Sequence, residues 1–300
     1  MSAYHSGLLL YNKPIGLTSF DSLKVIKKAF NTRKAGHTGT LDKFANGLLL
    51  VLLEKGLKLA PLFQYSTKRY TAKLFLGSET DTLCPEGKVI ARGEVPSRED
   101  FEAVFDSFRG EIMQSPPAYS AVHISGKRAY ELAREGKEPE MKKRPVKIYN
   151  LELLSFEPPY AEINVLVSSG TYIRSLARDM AHSANSFAHL VSLSRTSIAN
   201  FSLKDAVSAD DGDLVKRLLP MDKLLFQKLS LPVFYINDSK SFFQGKALSK
   251  ILSEEDLHSS WDMETPSFAG VFNTEEEDKC LGYLIKDKNK WKYGHVYANN

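Results

Sequence analysis

Residues 36–47 hold the groups best suited to chemistry: Gly36, His37, Thr38, Gly39, Thr40, Leu41 and Asp42, then Ala45 and Gly47. Two glycines, a histidine and an aspartate share a short polar loop just ahead of the apolar run 48–53. The arrangement sets one carboxylate among backbone and small side chains, where a flat substrate could approach. A carboxylate with a reference pKa near 3.9 is ionised at neutral pH and needs no activating base. Taken in isolation, a glycine-flanked aspartate equally suits a turn or a helix cap. His37 forms no metal-ligand spacing with the other six histidines, and no HExxH or paired-aspartate pattern occurs.

The elements around that loop follow from periodicity. Residues 8–11 read as a buried strand ending at Lys13-Pro14. Thr18-Ser19-Phe20-Asp21 has capping-box spacing. The helix it opens carries Phe20, Leu23, Ile26 and Phe30 as its apolar face. Residues 48–53 read as a buried strand and 70–76 as an alternating one, with 88–91 expected to continue a hairpin from it. Ser97 caps a helix with Phe101, Val104, Phe105 and Phe108 as a core stripe. Strands are expected at 146–156 and 162–167, and a helix after Gly170.

Residues 119–147 stand apart, with eight lysines and arginines, four acids and little periodicity. They read as a long basic loop around a short helix at 130–134; long loops in compact domains are functional or disordered. The formal net charge is +4, and its distribution is uneven. Residues 229–300 carry 8 bases and 11 acids, net −3, so the longer first part carries +7. That placement is expected where a surface meets phosphates. From about residue 230 short strand-like runs at 268–272 and 281–285 and the acidic run Glu275-Glu276-Glu277-Asp278 suggest a small β-rich unit. The division expected is 1–229 and 230–300.

No apolar run reaches the length of a membrane span, and residues 1–7 do not read as a secretory signal. Cys84 and Cys280 form no CxxC pattern, which points to reduced thiols, a cytoplasmic protein and no zinc site.

Seven segments, in order, resemble the TruB-type tRNA pseudouridine synthases. They begin with Lys13-Pro14-Ile15-Gly16 and Thr18-Ser19, then the loop 36–47. Lys68-Arg69-Tyr70 and Gly77 with Thr80-Asp81-Thr82 follow. Next come Phe108-Arg109-Gly110 and 115–121, then Ala133-Arg134-Glu135-Gly136 and Arg144-Pro145-Val146. Gly170 to Leu176 and the stretch from Ala188-His189-Leu190 through Leu193-Ser194-Arg195-Thr196 complete the set. The likeness covers most of 8–203. Four positions depart from the family pattern: Lys43 in place of proline, Asn46 of a small hydroxyl residue, His123 of lysine, and Cys84 of an acid. Losing the proline removes one constraint on the backbone after Asp42.

The resemblance implies an α/β fold: a mixed, largely antiparallel sheet with flanking helices, an RNA-gripping insertion at about 115–147, and a small C-terminal β-rich, PUA-like unit. It implies isomerisation of uridine to pseudouridine in the T-arm loop of tRNA, at uridine 55, with base flipping and no cofactor. Asp42 takes the nucleophile's role, paired with Arg174, and Tyr70 stacks on the target ring. Tyr172 and Leu193 line the pocket, and His37 supports the flipped nucleotide. Lys13, Lys127, Arg128, Lys142, Lys143 and Arg144 contact RNA. A monomer with no obligatory protein partner is expected. Two other readings share parts of this pattern: a guide-RNA-directed relative and a non-catalytic tRNA-binding or folding module.

Overall fold

The computed structural model describes residues 6–124, 126–137, 141–253, 256, 267–276, 280–287 and 290–297. Its strands, in chain order, are β1 (Gly7–Lys13), β2 (Ala35–His37), β3 (Asn46–Leu53), β4 (Lys68–Leu76), β5 (Ser78–Thr80), β6 (Val89–Arg92) and β7 (Gly110–Gln114). They continue with β8 (His123–Ile124), β9 (Lys127–Arg128), β10 (Arg144–Glu157), β11 (Tyr160–Val167), β12 (Ala188–Ile198) and β13 (Phe201–Ser202). The last four are β14 (Val233–Ile236), β15 (Ser267–Asn273), β16 (Cys280–Asp287) and β17 (Lys290–Val296). The helices are α1 (Ser19–Ala29), α2 (Arg98–Ala103), α3 (Phe105–Phe108), α4 (Ala129–Arg134), α5 (Ile173–Ser183), α6 (Lys223–Lys228) and α7 (Ser239–Phe243).

One large sheet runs β1-β3-β12-β4-β11-β10-β7, with β2 on β3 and β13 on β12. All its pairings are antiparallel except β3 with β12, which meet in parallel over Ser194–Asn46 and Arg195–Gly47 alone. The mixed, largely antiparallel sheet expected from the sequence is therefore present. The brief parallel junction sits where the loop carrying Asp42 enters β3. Gly47 makes that junction possible. Its φ is +108°, and a Cβ there would lie 2.5 Å from the Arg195 carbonyl oxygen, so only glycine fits.

α1 begins as its sequence dictates, with Thr18 Oγ1 accepting from Asp21 N at 3.0 Å. Leu23, Ile26 and Phe30 are buried, but Phe20 is not: 63% of it is exposed. In that first turn the buried residues are Ser19 and Ser22. Ser97 caps α2 in the same way, and Phe101 and Phe105 are core. The expected hairpin from 70–76 to 88–91 does not form. β4 pairs instead with β11 and β12, and β6 pairs with β5 as a separate ribbon. The turn at Gly77, with φ of +84°, redirects the chain between them.

A second sheet, β14-β15-β16-β17, follows near the C-terminus. Its Phe268, Phe272 and Tyr283 share one buried cluster with Leu8, Leu48, Phe63 and Phe201 of the first part, and with Leu225 and Phe226 of α6. Phe226 meets Phe272 edge-on at 5.6 Å. In the acidic run, Glu275 and Glu276 are exposed, while Glu277 and Asp278 lie outside the described residues. No helix among the described residues is long and apolar enough to cross a membrane.

Candidate active site

Asp42 lies in the turn between β2 and β3, fastened on several sides. Ser19 Oγ accepts from Leu41 N at 2.9 Å and lies 3.2 Å from Leu41 O. Gly16 N donates to Lys43 O at 2.9 Å, and Ala45 N to Asp42 O at 3.2 Å. The loop is thus gripped by the 14–19 segment. These contacts restrain the position where proline is absent.

Arg174, in the first turn of α5, meets the carboxylate. Its Nε stands 3.0 Å from Asp42 Oδ2, and its Nη2 donates to Oδ1 at 3.2 Å. The guanidinium is further fixed by donation to Thr82 O and Tyr119 O, each at 3.0 Å. Arg174 is 5% exposed, whereas the Asp42 side chain is 37% exposed. A buried, multiply bonded cation under a partly open carboxylate holds that carboxylate oriented toward an incoming molecule. The pairing that the resemblance implied is therefore present in the geometry.

Tyr70 and Leu193 come from adjacent strands of the sheet centre; Tyr70 sits opposite Arg195, and Leu193 opposite Ala72. Both belong to the apolar cluster that also holds Leu41, Phe44 and Ala45, the residues flanking Asp42, together with Ile173 and Leu176. Tyr172 precedes α5, and its backbone N and O both bond to the Gln114 side chain, at 2.8 and 3.1 Å. Arg144 lies over the Tyr172 ring, its Cζ 4.8 Å from the centroid. Its Nη2 donates to Gly170 O, and its buried Nε has no hydrogen-bond partner among the described residues. The structure thus brings Asp42, Arg174, Tyr70, Leu193, Tyr172 and Arg144 to one region where α5, β4, β12 and the loop converge.

The other basic residues divide. Lys142 and Lys143 are exposed on the approach to β10. Lys127 and Arg128 are exposed in the ribbon of β8 and β9, where Lys127 pairs with Glu135 at 3.1 Å. Residues 125 and 138–140 of this insertion lie outside the described residues. Lys13 corrects the expectation of an RNA contact. It is fully buried, and its ammonium donates to Pro14 O at 2.9 Å and Leu17 O at 2.7 Å. It tethers the segment that grips the loop. Burial, with repulsion from Arg195, outweighs attraction to Asp42 and lowers its pKa to about 8.

His37 is half-buried at the end of β2. Burial first, then the nearby Arg195, lowers its pKa from 6.5. Its Nδ1 has no hydrogen-bond partner among the described residues.

Two residues matter beyond those expected. Arg195, 1% exposed, donates to Leu48 O at 2.7 Å, Gly39 O at 3.1 Å and Thr40 O at 3.4 Å, binding the loop to β3. Lys68 is buried nearby, donating to Ser66 O at 3.1 Å and Ser169 Oγ at 3.2 Å. Its pKa falls to about 8, through burial first and Arg195 second. The sequence signal for both was their place inside the recurring segments. Their partners, up to 156 residues away, had no local mark. Cys84, where the family pattern has an acid, is buried beside Thr82, with Sγ 3.0 Å from Thr82 Oγ1. Burial raises its thiol pKa above 9.0, so a neutral group stands there.

The model of the TruB family pseudouridylate synthase N-terminal domain matches residues 27–173. A tRNA pseudouridine synthase B from Clostridium tetani is 38% identical, over 96% of this chain and 98% of its own. One from Borreliella burgdorferi is 47% identical, over 69% of this chain and 74% of its own. Among solved structures, a Cbf5-Nop10-Gar1 complex is similar with a TM-score of 0.69 and 25% identity. That alignment covers 97% of this chain and 84% of the other.

Proposed function

The chain belongs to the TruB family of pseudouridylate synthases, and from that premise we propose that it isomerises uridine 55 in the T-arm loop of tRNA. Isomerisation of uridine in tRNA fits the relatives that cover nearly the whole chain, which are named tRNA pseudouridine synthase B. The observation that carries the choice of site is the Asp42–Arg174 pair, a partly open carboxylate on a buried guanidinium.

The reaction breaks the N1–C1′ bond, turns the uracil and joins C5 to C1′. The C5 proton leaves and N1 gains one, so nothing is consumed and no donor or cofactor is needed. Asp42 is the carboxylate that meets the reacting nucleotide, held in aim by Arg174. Tyr70 stacks on the ring, and Leu193 and Tyr172 close the apolar side of the pocket. Arg144, at the end of the insertion, lies over Tyr172.

The uridine must leave its stack, at about a few kcal/mol. Stacking on one aromatic returns about 1–3 kcal/mol. Phosphate contacts supply the remainder, and Lys127, Arg128, Lys142 and Lys143 are placed on an exposed surface to make them. Shape and single-stranded loop recognition suit RNA better than groove reading. The C-terminal sheet, in a region of net −3 charge, serves as an accessory unit. A cytoplasmic monomer acting without a guide completes the proposal.

Asp42→Asn tests it. The variant keeps the side-chain volume, and Arg174 keeps its two carbonyl partners. Pseudouridine formation in a T-arm stem-loop should disappear while binding of that stem-loop persists. Substantial turnover by the variant rejects the assignment. Activity of the purified wild-type protein on naked tRNA, with no added protein or guide, separates this reading from a guide-directed enzyme.

A further inference from the structure

The segment that grips the Asp42 loop leaves two large apolar side chains exposed to solvent. Ile15 is 65% exposed and Phe20 63%, although helical periodicity would bury the latter. Both adjoin residues that grip the loop. Ile15 precedes Gly16, whose N donates to Lys43 O; Phe20 follows Ser19, whose Oγ holds both Leu41 N and O. The two groups therefore lie one residue from contacts on either side of Asp42. Lys24 Nζ stands 5.2 Å from the Phe20 ring centroid, while also pairing with Asp21 at 2.8 Å. Lys28 and Lys43 are exposed on the same helix and loop.

We propose that Phe20 and Ile15 form a second stacking platform, for a nucleotide of the RNA substrate other than the target uridine, with Lys24 and Lys43 beside the adjoining phosphates. This rests on the tRNA reading and extends its contact surface beyond the insertion. Two features on this face select the occupant. An aromatic face rimmed by lysines complements a base on a phosphate chain, and base–aromatic stacking tolerates any base. The platform also neighbours the Asp42 loop, since Gly16 and Ser19, next to Ile15 and Phe20 in the chain, bond to Lys43 and Leu41. A flipped uridine leaves its neighbours unstacked, and an exposed ring beside the pocket offers one of them a partner.

The test compares wild type, Phe20→Ala, Phe20→Trp and Lys24→Gln with a T-arm stem-loop and full-length tRNA. Phe20→Ala should weaken binding and raise KM about 10-fold, within the range expected for one stacked base, and leave kcat near wild type. Phe20→Trp should bind as well as wild type. Lys24→Gln should reduce the slope of log binding constant against log salt by about 0.7. Phe20 is exposed, so melting temperatures should coincide. Should they not, crosslinking by Phe20→p-benzoylphenylalanine to a nucleotide next to the target uridine decides the matter, and its absence counts against the proposal.

Unchanged binding and KM for Phe20→Ala, with an active wild type, overturns this inference alone. A wild type that neither binds nor modifies tRNA overturns the functional reading and this inference with it. A self-association that Phe20→Ala abolishes, with RNA binding untouched, assigns the surface to a second copy of the chain and overturns it too.

Discussion

Lys68 shows how much buried charge the loop rests on. Arg195 repels both Lys68 and Lys13, and only Lys13 of the two is drawn to Asp42, the carboxylate that Arg174 holds. Hydrogen bonds to carbonyls hold these cations, yet burial and mutual repulsion still lower both lysines to about 8, against 10.5 for an exposed lysine. The sign for stability follows. Between about pH 8 and 10.5 the unfolded chain binds more protons at these lysines than the folded one, so stability rises with pH. Below about pH 8 the penalty is constant. Tyr11, Tyr283 and Tyr297 have raised values, so the unfolded chain ionises first and opposes the trend near pH 10 and above. Burial raises the thiols of Cys84 and Cys280 above 9.0, so they too oppose the trend, from about pH 8.5, and the lysine contribution is read from the difference between wild type and a Lys68 variant. Between pH 8 and 9.5 each lysine contributes at most roughly 2 kcal/mol. The pH dependence of urea midpoints at pH 7.5, 8.5 and 9.5 should therefore be more positive for wild type than for Lys68→Met. The slope is the measure, because Ser66 O loses a donor in the variant whatever the pH. Identical slopes would show that Lys68 keeps an ordinary affinity for its proton.

At the scale of elements, the insertion and the loop are built for different tasks. The loop is tied at Leu41, Lys43, Gly39 and Thr40 by groups from two separate segments, 14–19 and β12. Ahead of β10, the described residues of the insertion form two two-residue strands and one short helix, and offer exposed cations. If those cations bind phosphates, the double change Lys142→Ala and Lys143→Ala should weaken stem-loop binding at low salt. It should also reduce the salt slope by about 1.5, with kcat retained. An unchanged slope places the phosphates elsewhere. The same contrast explains what could be read from the sequence. β1, β3, β10, β11, α1 and α5 were legible because local patterning and capping determine them. The site was legible through Asp42 and Arg174, 132 residues apart, only because a recurring order of segments linked them. Three features were not. Phe20 fits the apolar stripe but lies in the first turn, where the loop's hydrogen bonds require Ser19 to face inward. Lys13 is a lysine, so nothing local marks it as buried; its shell of carbonyls forms only when 14–17 folds around it. β6, Val-Ile-Ala-Arg, is largely exposed and has no alternation to choose a partner, and the Gly77 turn sets it on β5.

At the scale of the molecule, the expected division at residue 229 cuts through a continuous core. Phe226 of α6 lies before that boundary and packs edge-on against Phe272 beyond it, in a cluster that reaches Leu8 and Leu48 of the large sheet. Apolar surface shared in this way couples the unfolding of the two sheets, since opening either exposes the other. Both tryptophans, Trp261 and Trp291, lie beyond residue 230, so their fluorescence reports the C-terminal part. Loss of stem-loop binding reports the first part. The two signals should change together in urea, in one transition. Phe272 is fully buried. Truncating such a ring removes about 3–5 kcal/mol. Phe272→Ala should therefore lower the midpoint of both signals by the same amount, although the substitution lies outside the sheet that carries Asp42. A fluorescence midpoint that falls while the binding midpoint stays would show two independently stable units, and the shared cluster would then be a contact without thermodynamic coupling.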